Sequence, residues 1–217
     1  MVILVLSIGP CFGQVTNNGA GEPSWKTSTL RERPARRDSI WANGVVGEGF
    51  RYGAKQAGFS LGAGPGFKLM NSQEKHDLAL ARFNYGFMFT DVVAKGKWYQ
   101  GNWEILGELF GGGQFSPSAA YVVGLSPVVR YNFITGTRWV PFLDGAAGIA
   151  ATDIRHPDLS TTFEFNLHGG PGVHYFWRDN VAFTFQHRVV HFSNAGIEAP
   201  NLGVYVNMFS LGVTWFF

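Results

Sequence analysis

The chain of 217 residues has one cysteine, Cys11. If Cys11 leaves with a cleaved signal, disulfide and thiol chemistry are both excluded. Charge is scarce as well: Asp, Glu, Lys and Arg make up 15% of residues and the formal net charge is +2. That balance gives no electrostatic footprint for a nucleic acid, so none is expected as partner. The basic residues that cluster do so in KTSTLRERPARR, residues 26 to 37, which reads as a solvated tail. Long hydrophobic runs are also missing. Past the N-terminus no window of about 18 residues is apolar and uncharged, which excludes a transmembrane helix. The opening MVILVLSIGPCFGQ is too short to span a bilayer but suits a signal-peptide core, with Cys11 and Gly13 as the small residues before a cut at Gln14. It lacks a basic leading segment, so it reads as a truncated signal, and the stretch before Cys11 matches a lipoprotein site poorly. The expected organisation is a signal peptide over 1–13, a polar extension over 14–49 and a folded domain over 50–217.

What the chain does have is aromatic residues, at 16%, and 29 glycines, a mix that suits sheets and tight turns. Polar and apolar residues alternate along most of it. In LALARFNYGFMFT, Phe83, Tyr85, Phe87 and Phe89 share one parity while Arg82 and Asn84 take the other. In TFEFNLHGGPGVHYF, Phe163, Phe165 and Leu167 oppose Glu164, Asn166 and His168. Strands are predicted over about 56–68, 76–91, 99–112, 119–134, 140–153, 161–177, 181–194 and 205–217. Most exceed the usual 5 to 6 residues of soluble strands and reach the roughly 9 to 11 needed to cross a bilayer at a tilt. A soluble sandwich would bury the aromatic face. A membrane barrel turns it toward lipid and keeps the polar face inside.

The polar parity carries Arg82, Glu104, Glu108, Arg130, Asp144, Glu164 and Arg188, cations and carboxylates able to pair in a narrow lumen. The last strand ends in Phe209, Leu211, Val213, Trp215 and Phe217 on one parity, similar to the terminal strand of bacterial outer-membrane barrels. The predicted fold is therefore all-β, an eight-stranded antiparallel outer-membrane β-barrel, with the odd hairpins facing the cell exterior and the short joins TGTR and RDN facing the periplasm. Pro65, Pro127 and Pro171 fall inside predicted strands, where each removes a ladder donor, so bulges or kinks are expected there. LGAGPG at 61–66 imitates a phosphate loop but lacks the following Lys-Ser/Thr and reads as a glycine-rich strand. His168 and His174 share the lumen face without a third ligand, so no metal is expected. His187 counts toward lipid near mid-membrane, with no sequence rationale.

The segment HFSNAGIEAPNLGVYVNMF, residues 191 to 209, carries the chemistry. His191 and Ser193 share the apolar parity of strand 7, so they point to lipid at the exterior end. Same-face neighbours on a strand lie roughly 6 to 7 Å apart, which lets an imidazole lean toward a hydroxyl two positions on, as a nucleophile and its base require. Asn194 and the turn at Gly196 are candidate oxyanion donors. The other reading is two polar residues at a rim.

HFSNAGIEAPNLG resembles the His-x-Ser-Asn-x-Gly-x-x-x-Pro-Asn-x-Gly stretch of the lipid A 3-O-deacylase (PagL) family, and the segment spacing is similar to that family over roughly residues 50 to 217. The resemblance implies an outer-membrane barrel whose lipid-facing surface hydrolyses the 3-position acyl ester of lipid A without a cofactor. It implies Ser193 as nucleophile, His191 as base and Asn194 as oxyanion donor. The family's acid falls at Tyr205, which is not a carboxylate. Tyr205 is expected to orient His191 through its hydroxyl, with Glu198 and Asn207 as alternatives. The implied partners are lipid A or lipopolysaccharide and outer-membrane lipids, with a homodimer also open. The alternative function is a non-enzymatic eight-stranded barrel serving as envelope scaffold or adhesin.

Overall fold

The computed structural model describes residues 41–42, 45–47, 49–155 and 157–217. The expected signal peptide and nearly all of the polar extension, including Cys11, Gly13 and Gln14, lie outside the described residues. A two-residue ladder joins Trp41–Ala42 to Val45–Val46. Eight long strands follow: β1 Lys55–Gly64, β2 Asp77–Met88, β3 Gly101–Ser116, β4 Ala120–Phe133, β5 Trp139–Thr152, β6 Phe163–Phe176, β7 Val181–Ser193 and β8 Val204–Phe216. Each pairs antiparallel with the next, and β8 pairs with β1 to close the barrel. The predicted strands are all present, with ends displaced by a few residues where loops take over. No helix among the described residues is long and apolar enough to cross a membrane.

The wall is inverted relative to a soluble protein. Phe59, Phe83, Tyr85, Leu125, Phe185 and Trp215 are exposed on the outside, an apolar surface that only hydrocarbon solvates well. Aromatic pairs such as Trp103–Tyr131 and Trp139–Tyr175, with ring centroids 4.9 and 4.6 Å apart, form a belt at the end bearing the β2–β3, β4–β5 and β6–β7 connections.

The inward face carries its arginine–carboxylate ion pairs in its middle. Arg188 donates to Glu108 at 2.7 and 2.8 Å and to Asp144 at 2.8 Å. Arg130 donates to Asp144 at 3.1 Å and lies 3.8 Å from Glu104. Arg82 is buried in the same belt, and Glu164 accepts from the Thr161 hydroxyl at 2.8 Å nearer the rim. Above and below this belt lie two apolar clusters. One plug contains Leu78, Phe110, Leu159, Phe192 and Met208. The other contains Phe50, Met88, Phe176 and Phe216, with Phe50 inserted from the segment before β1. Low-dielectric plugs at both ends keep the ion pairs from water, so each charge depends on its partners.

The expected bulges at the prolines do not form. Pro65 lies just beyond β1, while Pro127 and Pro171 interrupt one ladder each. Pairing resumes in the same register, from Leu125↔Ile149 to Val128↔Ala146 and from Gly169↔Val189 to Gly172↔Gln186. A missing donor on one side of a strand leaves its other ladder intact, as Gly107↔Pro127 illustrates. The register shift that does occur lies at Asp77/Leu78, between β2 and β3.

Candidate functional site

β7 and β8 pair so that Tyr205 stands opposite His191. Strand parity turns both, and Ser193, to the outer apolar side with Phe183, Phe185 and Val189. On the other flank β6 sets Leu167 against His191 and Phe165 against Ser193. His191 Nδ1 lies 3.3 Å from the Val204 carbonyl. A carbonyl only accepts, so Nδ1 carries the hydrogen and Nε2 keeps its lone pair, the form a general base needs. No hydrogen bond joins His191 to Ser193 among the described residues, although they share one face at adjacent pleats.

The Tyr205 hydroxyl is turned away from His191. The two rings stack, with centroids 4.4 Å apart and planes 20° from parallel, and the hydroxyl lies 3.4 Å from Met70 Sδ. The segment after β1 explains this. It continues alongside β8, where the Phe67 N–H donates to the Tyr205 carbonyl at 3.0 Å and the Asn207 N–H to the Pro65 carbonyl at 3.0 Å. Phe67 and Met70 then cover Tyr205, which is only 8% exposed on the lipid-facing parity. Gly203 completes the pocket. It has φ +85°, and a Cβ there would stand 2.7 Å from His191 Cε1, so glycine is needed for both the backbone and the space.

Both candidate oxyanion donors are engaged in hydrogen bonds of the β7–β8 loop and its neighbour. Asn194 is buried; its backbone N–H donates to Asn201 Oδ1 at 2.9 Å, and its side-chain amide to Ser160 Oγ at 3.1 Å and the Glu198 carbonyl at 2.8 Å. The Gly196 N–H donates to Asn194 Oδ1 at 2.9 Å. Asn194 staples the loop. Glu198 is exposed and contributes its carbonyl to that staple.

His187 has a partner that counting along one strand does not reveal. Its Nε2 lies 3.2 Å from Asn207 Oδ1, and its ring packs on Phe209 at 4.7 Å. Two polar side chains on the lipid-facing surface thus satisfy each other. His168 and His174 serve the luminal belt, His168 at 3.6 Å from Glu108 and His174 at 2.8 Å from Thr184 Oγ1. No group of three or more potential metal ligands occurs among the described residues. LGAGPG is the end of β1 and the turn beside β8.

Asp158, His76 and Gln114 were not singled out by sequence reading. They lie at the loop end beneath the site and form a buried chain, with His76 Nε2 at 2.9 Å from Asp158 Oδ2 and Nδ1 at 2.6 Å from Gln114 Oε1. The signal was slight: a lone polar pair in HPDLS and QEKH, separated by 82 positions.

The model of the lipid A 3-O-deacylase (PagL) family matches residues 84–214, more than half of the chain, and this span contains the whole β7–β8 site. The chain belongs to the lipid A 3-O-deacylase family. Among solved structures it is similar to the outer-membrane enzyme PagL, at 18% identity over 73% of this chain and 98% of that one, with TM-score 0.51. It is also similar to Neisserial surface protein A, at 16% identity over 76% of this chain and 99% of that one, with TM-score 0.57. At such identities these likenesses speak for the fold, which deacylase-family and other outer-membrane barrels share. No curated protein sequence matches the chain.

Proposed function

We propose that the protein is an esterase of the bacterial outer membrane that removes the 3-position acyl chain of lipid A, with its site at the outer leaflet. The observation that carries this reading is the placement of His191 and Ser193 on the apolar outer face, with His191 Nδ1 held by the Val204 carbonyl and Nε2 left as base. A soluble substrate would not reach such a face; an acyl ester embedded in the leaflet would.

In the reaction, Ser193 Oγ attacks the ester carbonyl carbon while His191 Nε2 takes its proton. Collapse of the tetrahedral intermediate breaks the bond to the sugar oxygen, which leaves with the proton returned by His191. Water, deprotonated by the same imidazole, then releases the fatty acid and restores Ser193. No cofactor takes part. An oxyanion role for Asn194 or Gly196 requires release of one loop hydrogen bond as substrate binds. Tyr205 packs against the base and is included in the site for that reason.

The missing carboxylate at Tyr205 favours a second reading, a barrel of the same family that has lost catalysis and serves as an envelope scaffold. Lipid A mass spectrometry of cells expressing the wild type or Ser193→Ala separates the two. The esterase reading expects a lipid A species lacking one acyl chain in the wild type alone; identical spectra support the scaffold.

A further inference from the structure

We propose that Asp158, in the loop between β5 and β6, is the positioning residue of the His191 site. The proposal rests on the reading of the protein as a Ser193–His191 esterase.

Asp158 is fully buried, which is unusual for a carboxylate in a loop. Its Oδ1 accepts the Gln73 N–H at 2.7 Å and its Oδ2 the Glu74 N–H at 2.9 Å, with His76 Nε2 also at 2.9 Å from Oδ2. Its backbone carbonyl accepts the N–H groups of Leu202 at 2.8 Å and Gly203 at 3.3 Å. The side chain therefore holds the β1–β2 loop and the main chain holds the β7–β8 loop. Those two segments are the walls of the His191 pocket. The first supplies Phe67 and Met70, which cover Tyr205. The second supplies Gly203, against which the imidazole lies. Displacing Asp158 displaces both walls.

The buried charge is compensated. Gln114 commits its amide nitrogen to the Ser118 carbonyl at 2.7 Å, so its Oε1 faces His76 Nδ1. Both ring nitrogens of His76 then face oxygen atoms, one of Gln114 and one of Asp158. His76 Nε2 lies 2.9 Å from Asp158 Oδ2. Among the described residues no other charged group lies within ion-pair distance of it. Asp158 itself is out of reach of lipid, so its effect on catalysis passes through the walls.

The test uses the full chain in detergent micelles with a synthetic glycolipid bearing a 3-O-acyl chain. Asp158→Asn preserves size but sets an amide against N–H donors. It is expected to lower kcat about a hundredfold while KM stays within about twofold, with barrel formation retained by heat-modifiable gel mobility. Gly203→Ala is expected to do the same, and the double variant to be no slower than the slower single, because both act on His191. A kcat for Asp158→Asn within about twofold of wild type, or losses that multiply in the double variant, overturns the proposal. Should Asp158→Asn fail to form a barrel, His76→Gln keeps a donor to Asp158 and is expected to lose roughly tenfold in kcat; full activity there overturns it equally. Ser193→Ala serves as control: a Ser193→Ala as active as wild type removes the esterase reading itself, whereas an inactive Ser193→Ala beside a fully active Asp158→Asn removes only the role of Asp158.

Discussion

The ring of Tyr205 lies flat on the imidazole of His191, 4.4 Å between centroids, with its hydroxyl turned away to Met70. The position that the family resemblance assigns to an acid thus holds a residue that meets the imidazole with its ring face. Such stacking contributes about 0.5–1.5 kcal/mol beyond burial and restricts ring rotation. It brings no negative charge near the imidazolium that the proposed mechanism forms on His191, a charge that orienting carboxylates supply.

Three substitutions at Tyr205 follow from that geometry. Tyr205→Phe keeps the stack and is expected to leave deacylation within about twofold of wild type, whereas a hydrogen-bonding phenol would make the same change costly. Tyr205→Ala opens the pocket and should lower the rate roughly tenfold. Tyr205→Glu supplies the missing charge and should raise the rate at neutral pH. Initial rates on a 3-O-acyl glycolipid in micelles check all three, with Glu198→Gln alongside. A silent Tyr205→Phe together with an inactive Glu198→Gln would make the loop carboxylate the third catalytic member.

Ser193→Ala and His191→Ala should each abolish deacylation without preventing barrel formation, since both side chains stand outside the luminal packing. The double variant should be no worse than either single one, because nucleophile and base act as a unit. Single-turnover release of fatty acid measures this, and multiplying losses would indicate two independent binding contacts instead.

Arg188 bridges Glu108 and Asp144 in a belt sealed from water. Arg188→Met leaves both carboxylates short of a partner and is expected to destabilise the barrel by about 3–5 kcal/mol. A urea titration of the heat-modifiable form should record a lower midpoint, and an unchanged midpoint would show that water reaches the belt.

His187 and Asn207 satisfy each other on the lipid-facing wall. His187→Leu alone or Asn207→Leu alone should destabilise by about 1 kcal/mol, because each strands a polar group in hydrocarbon, and the double variant should recover the wild-type midpoint. Recovery would separate a mutual pair from two groups with outside partners.

Alternation made the wall legible in the sequence, because a period of two has one structural solution and each strand was long enough to repeat it. The luminal charges were legible for the same reason. The apolar plugs were not: Leu78 and Leu80 share their parity with Arg82, and parity alone does not tell height along the barrel. The facing of His191 and Ser193 followed from counting, and the pairing of His191 with Tyr205 from the antiparallel neighbourhood. The stack did not follow, since it depends on Phe67 and Met70 arriving from more than a hundred residues earlier. Asp158 escaped for a similar reason. Loops have no period, and its donors at Gln73, Glu74, Leu202 and Gly203 are backbone groups that no side-chain pattern announces.

The strip of chain from Pro65 to Phe67, which runs on beside β8, places the site across the seam where the first and last strands of the sheet meet. An open, unsealed sheet would contain His191 and Ser193 but not the wall that covers Tyr205. On the proposed esterase reading, the covered site is therefore complete only once the first and last strands have paired.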